Sequence, residues 1–111
     1  MARGYNHCFA LDKGKTREPE LAARLNHPSS GRLLEILTTA PGLQLYTSNH
    51  LDGSRSGKSR RLYRMGDGVA LEPQGLPNAP NEPGFPSIRL DPGQLYRHVI
   101  LFRPGVSEAR E

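Results

Sequence analysis

Residues 43–48 read Leu43-Gln44-Leu45-Tyr46-Thr47-Ser48, and the reading of this run decides the fold. In an extended chain Leu43, Leu45 and Thr47 fall on one face, while Gln44, Tyr46 and Ser48 fall on the other. The spacing predicts a half-buried strand whose second face is polar and aromatic. Just ahead of it, residues 32–39 (RLLEILTT) form an apolar run that stops at Ala40-Pro41-Gly42. The two runs are expected to pair as neighbours across that turn.

The same reading extends outward. Residues 5–12 (YNHCFALD) are aromatic-rich and end in the turn signal Asp12-Lys13-Gly14, which predicts a strand. Residues 69–72 (VALE) are a short strand, residues 87–90 alternate, and residues 95–103 (LYRHVILFR) are the most apolar strand candidate. Residues 20–26 (ELAARLN) stay open between helix and strand. Pro19 followed by Glu20, Leu21, Ala22 and Ala23 suits a helix start. His27-Pro28-Ser29-Ser30-Gly31 then stops the run after very few residues. Five prolines between positions 73 and 86 predict a stiff irregular connection, residues 49–64 read as a loop, and residues 104–111 as a flexible tail. About six strands with frequent turns make the chain all-β.

At 111 residues the chain is one domain at most, and with 35% hydrophobic residues it builds a modest core. No stretch approaches the ~18 apolar residues of a membrane span, and the first residues lack the apolar core of a signal peptide. Cys8 is the single cysteine, so no internal disulfide forms, and a reducing, cytoplasmic setting is expected. The net charge is +4. Arg55, Lys58, Arg60, Arg61 and Arg64 concentrate it in one acid-free stretch, residues 53–64.

Several chemistries can be weighed on the residues alone. Gly57-Lys58-Ser59 resembles the end of a phosphate-binding loop, but the motif needs glycine at position 52, where Asp52 stands. The basic stretch suits non-specific phosphate contacts, yet it lacks stacking aromatics apart from Tyr63, so a solvated hairpin tip is the expectation and nucleic acid is not the expected partner. His7, His27, His50 and His98 are scattered without metal-ligand spacing, and no metal is expected. His98 is expected to pack within a strand. Glu72 closes the apolar run Val69-Ala70-Leu71. A carboxylate at such a strand end tends to lose hydration, which raises its pKa and suits proton acceptance.

Taken in order, several motifs join up. They are Gly4-Tyr5-Asn6-His7-Cys8-Phe9-Ala10-Leu11, His27-Pro28-Ser29-Ser30-Gly31-Arg32, Thr38-Thr39-Ala40-Pro41-Gly42-Leu43-Gln44-Leu45-Tyr46-Thr47, Leu51-Asp52-Gly53, Leu71-Glu72-Pro73-Gln74 and Leu90-Asp91-Pro92-Gly93-Gln94-Leu95-Tyr96-Arg97-His98. The chain resembles the C-terminal part of the aldose 1-epimerase (galactose mutarotase) family from about Gly4 to Arg103. The resemblance implies the C-terminal portion of a large β-sandwich, the supersandwich, over residues 1–103, and it settles residues 20–26 as strand. It implies interconversion of the α and β anomers of hexoses such as galactose and glucose, without a cofactor. By the same resemblance Glu72 is the general base, Gln44 binds sugar, and Asn6 and Tyr46 share the substrate face. Asn6 stands where the family usually has aspartate, Pro73 where threonine is common, and His50 where phenylalanine is common. The family's acid histidine belongs to a region N-terminal to these motifs. A carbohydrate-binding remnant without turnover is therefore the alternative. Bared sheet edges are expected to bring self-association or a complementary N-terminal half.

Overall fold

A computed structural model of the chain describes residues 3–106. Among these residues there are β-strands, one 3₁₀ turn (Ala79–Asn81) and no α-helix. The strands in chain order are β1 (Asn6–Ala10), β2 (Glu20–His27), β3 (Arg32–Thr38), β4 (Gly42–Tyr46), β5 (Asp52–Ser56), β6 (Leu62–Arg64), β7 (Ala70–Gln74) and β8 (Ile100–Val106). They form two three-stranded antiparallel sheets, β1-β4-β7 and β2-β3-β8, and a separate β5-β6 hairpin. The all-β expectation is met, and residues 20–26 are strand despite their helix propensity. Pairing supplies the reason: Leu25 lies opposite Leu34 and Arg24 opposite Glu35, so β3 rewards an extended β2.

The expected pairing of β3 with β4 does not occur, because the two strands belong to different sheets. The chain bends between them. The buried hydroxyl of Thr38 accepts the Ala40 N–H (3.1 Å) and pairs with His98 Nε2 (3.0 Å). Thr39 bonds Val99 in both directions, its N–H donating to the Val99 carbonyl and its hydroxyl accepting the Val99 N–H. These bonds satisfy the polar groups at the bend, so the chain can leave one sheet and enter the other while buried. Residues 38–43 are buried without interruption, and with Ile36 they make the spine where the sheets meet.

Other expectations shift. Residues 49–64, read as a loop, contain the β5-β6 hairpin, whose exposed tip carries Lys58, Arg60 and Arg61. Residues 87–90 and 95–99 are not strand; the last strand begins at Ile100 and runs through Pro104 to Val106, opposite Arg32. Thus residues 104–106, placed in a tail by the sequence reading, pair with β3, while residues 107–111 lie outside the described part. His98 packs as expected, half-buried against Thr38, but outside any strand.

The body is open. Its Cα radius of gyration is 17.0 Å, against about 13 Å for a compact chain of this size. Large apolar side chains stay exposed, among them Leu95 (91%), Tyr96 (66%) and Phe102 (61%). Glu35 in the central strand β3 ties β2 to β8 through ion pairs with Arg24 and Arg103.

Candidate functional site

The sheet β1-β4-β7 sets the candidate residues side by side. Gln44 lies opposite Cys8 on β1 and opposite Glu72 on β7, and Tyr46 lies opposite Asn6 and Ala70. Directly paired residues point to the same side of a sheet. Asn6, Cys8, Gln44, Tyr46, Glu72 and Gln74 therefore share one face. His7, Phe9, Leu43, Leu45, Leu71 and Pro73 share the other, where Leu43 and Pro73 are buried.

The polar face is pre-bonded within itself. Gln44 Nε2 donates to Asn6 Oδ1 at 2.8 Å, a diagonal contact between β4 and β1. That bond fixes the amide orientation and leaves Gln44 Oε1 and Asn6 Nδ2 free to meet hydroxyl groups. Tyr46 sits at the end of the row. Its hydroxyl accepts the His50 N–H at 3.0 Å, and its ring stacks on the His50 imidazole with centroids 6.1 Å apart. Thus His50, where the family resemblance leads one to expect an aromatic phenylalanine, fills a stacking position.

Glu72 is not at a strand end. The strand continues through Pro73 to Gln74, so Glu72 is its central residue. Its side chain is exposed and has no hydrogen-bond or ion-pair partner among the described residues. Of the apolar run Val69-Ala70-Leu71, alternation turns Leu71 to the opposite face, and the small Ala70 shares the face of Glu72. The carboxylate stands in water beside the Gln44 amide.

Gln74 and Cys8 also lie on this face, and the sequence reading did not single them out as site residues. Gln74 Nε2 reaches Cys8 Sγ at 3.9 Å across Gly42. Gly42 makes the crossing possible: a Cβ there would stand 2.8 Å from Leu76 Cδ2 and 3.2 Å from Cys8 Sγ. Partial burial pushes the Cys8 thiol pKa up, opposed by the Leu43 backbone N–H. Both stand inside the motifs that carry the family resemblance, but it is the strand register that puts them on this face.

The other histidines are engaged elsewhere. His7 lies on the opposite face and its Nδ1 accepts the Asn6 N–H; His27 bonds Ser30 at the β2-β3 turn; His98 bonds Thr38. No cluster of three metal-ligating side chains occurs among the described residues, and no helix there is long and apolar enough to cross a membrane. An open depression of about 920 Å³ lies between Arg17, Pro41, Ile88, Leu95 and Arg97, and none of Asn6, Gln44, Tyr46 or Glu72 lines it.

Comparison with known proteins bears on this face. The family model described as aldose 1-epimerase matches residues 1–103. The chain belongs to the aldose 1-epimerase family. It is similar to galactose mutarotase of Rattus norvegicus, 45% identical over 104 residues that cover 94% of this chain and 30% of that protein. Galactose mutarotase of Homo sapiens is 44% identical over the same shares. Aldose 1-epimerase of Escherichia coli (strain K12) is 36% identical over 103 residues, 91% of this chain and 29% of that protein. The chain thus spans about 30% of the length of the curated relatives it matches. The open sheets and exposed apolar residues are what part of a larger aldose 1-epimerase sandwich would present.

Proposed function

We propose that the face carrying Asn6, Gln44, Tyr46 and Glu72 binds a hexose such as galactose or glucose and that Glu72 is the proton acceptor in anomer exchange. The observation that carries this reading is the strand register. It sets the Glu72 carboxylate directly opposite Gln44, whose amide is already bonded to Asn6, within a chain of the aldose 1-epimerase family.

The chemistry follows from the groups present. Glu72 takes the proton from the anomeric hydroxyl, and that oxygen's electron pair forms the aldehyde. The bond from C1 to the ring oxygen breaks, and the ring oxygen must receive a proton. Rotation about C1–C2 and reclosure on the other face of the carbonyl give the second anomer. Gln44 and Asn6 bind ring hydroxyls, each able to donate and accept. Asn6 does so without the added strength a carboxylate would bring. Tyr46, backed by His50, offers an aromatic surface. No cofactor takes part in these steps, and a cytoplasmic setting suits the single thiol, Cys8.

The proton for the ring oxygen comes from a group outside this face, in the region of the family domain that a complementary N-terminal segment would supply. A positioned acid and a positioned base each contribute typically ~10²–10⁴-fold. The base half alone should give a small acceleration. The engagement of His7, His27 and His98 elsewhere favours one second reading, a carbohydrate-binding protein without turnover.

Proton NMR of freshly dissolved α-galactose tests both. The first reading expects exchange faster than buffer, in proportion to protein concentration. Galactose-induced shifts at Gln44 and Asn6 without faster exchange would establish the second, and absence of both effects would refute the pair.

A further inference from the structure

A short loop, residues 47–51, leads from β4 to β5 just past Tyr46. It is tied to the segment that leads into β1, and Tyr5 is the knot. The Tyr5 N–H donates to Thr47 Oγ1 (2.9 Å), and the Tyr5 carbonyl accepts both the Thr47 N–H (3.1 Å) and Asn49 Nδ2 (2.8 Å). Asn49 Oδ1 in turn accepts the Thr47 hydroxyl (2.8 Å). One amide therefore works at both ends, as donor toward the β1 segment and as acceptor toward the end of β4. The fit is close: a Cβ at Gly4 would collide with Asn49 Oδ1 and stand 2.5 Å from Thr47 Oγ1. Between Thr47 and Asn49, buried Ser48 takes the left-handed conformation (φ 56°), and the Leu51 N–H closes the turn on the Ser48 carbonyl (3.2 Å). His50 comes next, and it is the residue whose N–H and imidazole both meet Tyr46. All of these contacts are made within the chain itself.

We propose that Asn49 is a positioning residue of the sugar face: its amide pins the loop to Tyr5, which aims His50 at Tyr46 and sets the Tyr46 ring before a sugar arrives. The inference rests on the reading of that face as a hexose site. Because the Asn49 amide is engaged at both ends, its effect passes through His50 and Tyr46 and needs no contact with the sugar. An ordered ring spares the binding step the cost of immobilising it. The His50 N–H takes one lone pair of the Tyr46 oxygen and leaves that hydroxyl's own proton available to a sugar oxygen.

NMR titration of the 111-residue chain with galactose, read beside hydrogen exchange, tests it. Asn49→Ala should weaken binding about two- to tenfold and move the Tyr46 ring-proton shifts as the His50 stack loosens. The amides of β4 and β7 should stay as protected as in wild type. Asn49→Asp keeps the acceptor for Thr47 but turns a second oxygen toward the Tyr5 carbonyl, so it should lose as much. Gly4→Ala pushes the amide aside without altering it and should do the same. In a Tyr46→Ala background, Asn49→Ala should cost less than about twofold, because residues that act through one another are not additive. Affinity unchanged by Asn49→Ala, or an equal loss with and without Tyr46, would overturn the proposal. So would loss of β4 and β7 protection in Asn49→Ala, which would mark a part in the fold at large. A wild type without galactose-induced shifts would overturn the reading of the face, and this inference with it.

Discussion

The bend between the two sheets rests on the hydroxyl of Thr38, and Thr38→Val tests whether that hydroxyl holds it. Valine keeps the shape and removes the oxygen. Thr38 is fully buried (0% exposed), and so is the neighbourhood of the Ala40 N–H it accepts. The substitution leaves that donor without an acceptor, which costs about 1–3 kcal/mol. The gained methyl group offsets about 0.8 kcal/mol. His98 Nε2, only half-buried, can turn to water at little cost. The net loss is then about 0.2–2 kcal/mol, or a melting point lower by up to about 15 °C for a chain of this size. Circular dichroism melting reads the total, and hydrogen exchange at Ala40 and Val99 reads the locality. A variant that melts within about 0.5 kcal/mol of wild type, with Ala40 exchange unchanged, would refute the role given to Thr38.

Two further outcomes are expected. The hydrogen bond from Arg24, aided by the charges of Arg24 and Arg103, holds the Glu35 carboxyl below its ordinary pKa against a smaller effect of burial. A carboxylate with a depressed folded-state pKa stabilises the fold above its unfolded pKa of about 4.3, and that contribution is lost as pH falls through the folded value. The wild-type melting point should therefore fall more steeply than that of Glu35→Gln as pH drops below about 5; equal slopes would contradict the Arg24–Glu35–Arg103 tie. Gln44→Ala should weaken galactose binding, read by NMR titration, by about tenfold or more. The melting point should stay within about 0.5 kcal/mol because the Gln44–Asn6 bond is exposed; unchanged affinity would remove Gln44 from the site.

The alternation in residues 43–48 was enough to find β4 and to put Gln44 and Tyr46 on one face. The motifs around Asn6 and Glu72 then named the residues that the register brings beside them. What the sequence hid was non-local. Residues 20–26 become strand only because β3 lies alongside, and β3 and β4 part company because Thr38 and Thr39 satisfy the bend, a use of two threonines that no local pattern announces. Val69-Ala70-Leu71 suggested an apolar setting for Glu72, but alternation across the pleat sends Leu71 to the buried face and leaves the carboxylate in water. Pro104 looked like the start of a tail, whereas an edge strand accepts proline wherever its N–H would point outward. Cys8 and Gln74 stood inside those motifs, and the register put them on the polar face.

The most direct test is the rate of α-to-β galactose exchange with Glu72→Gln, which keeps the shape and removes the proton acceptor. With Glu72 as the base, the protein-dependent part of the rate falls by about 10²–10⁴-fold, down to the buffer rate, while galactose-induced shifts at Gln44 and Asn6 persist. Exchange by Glu72→Gln as fast as by the unaltered chain would contradict the assignment.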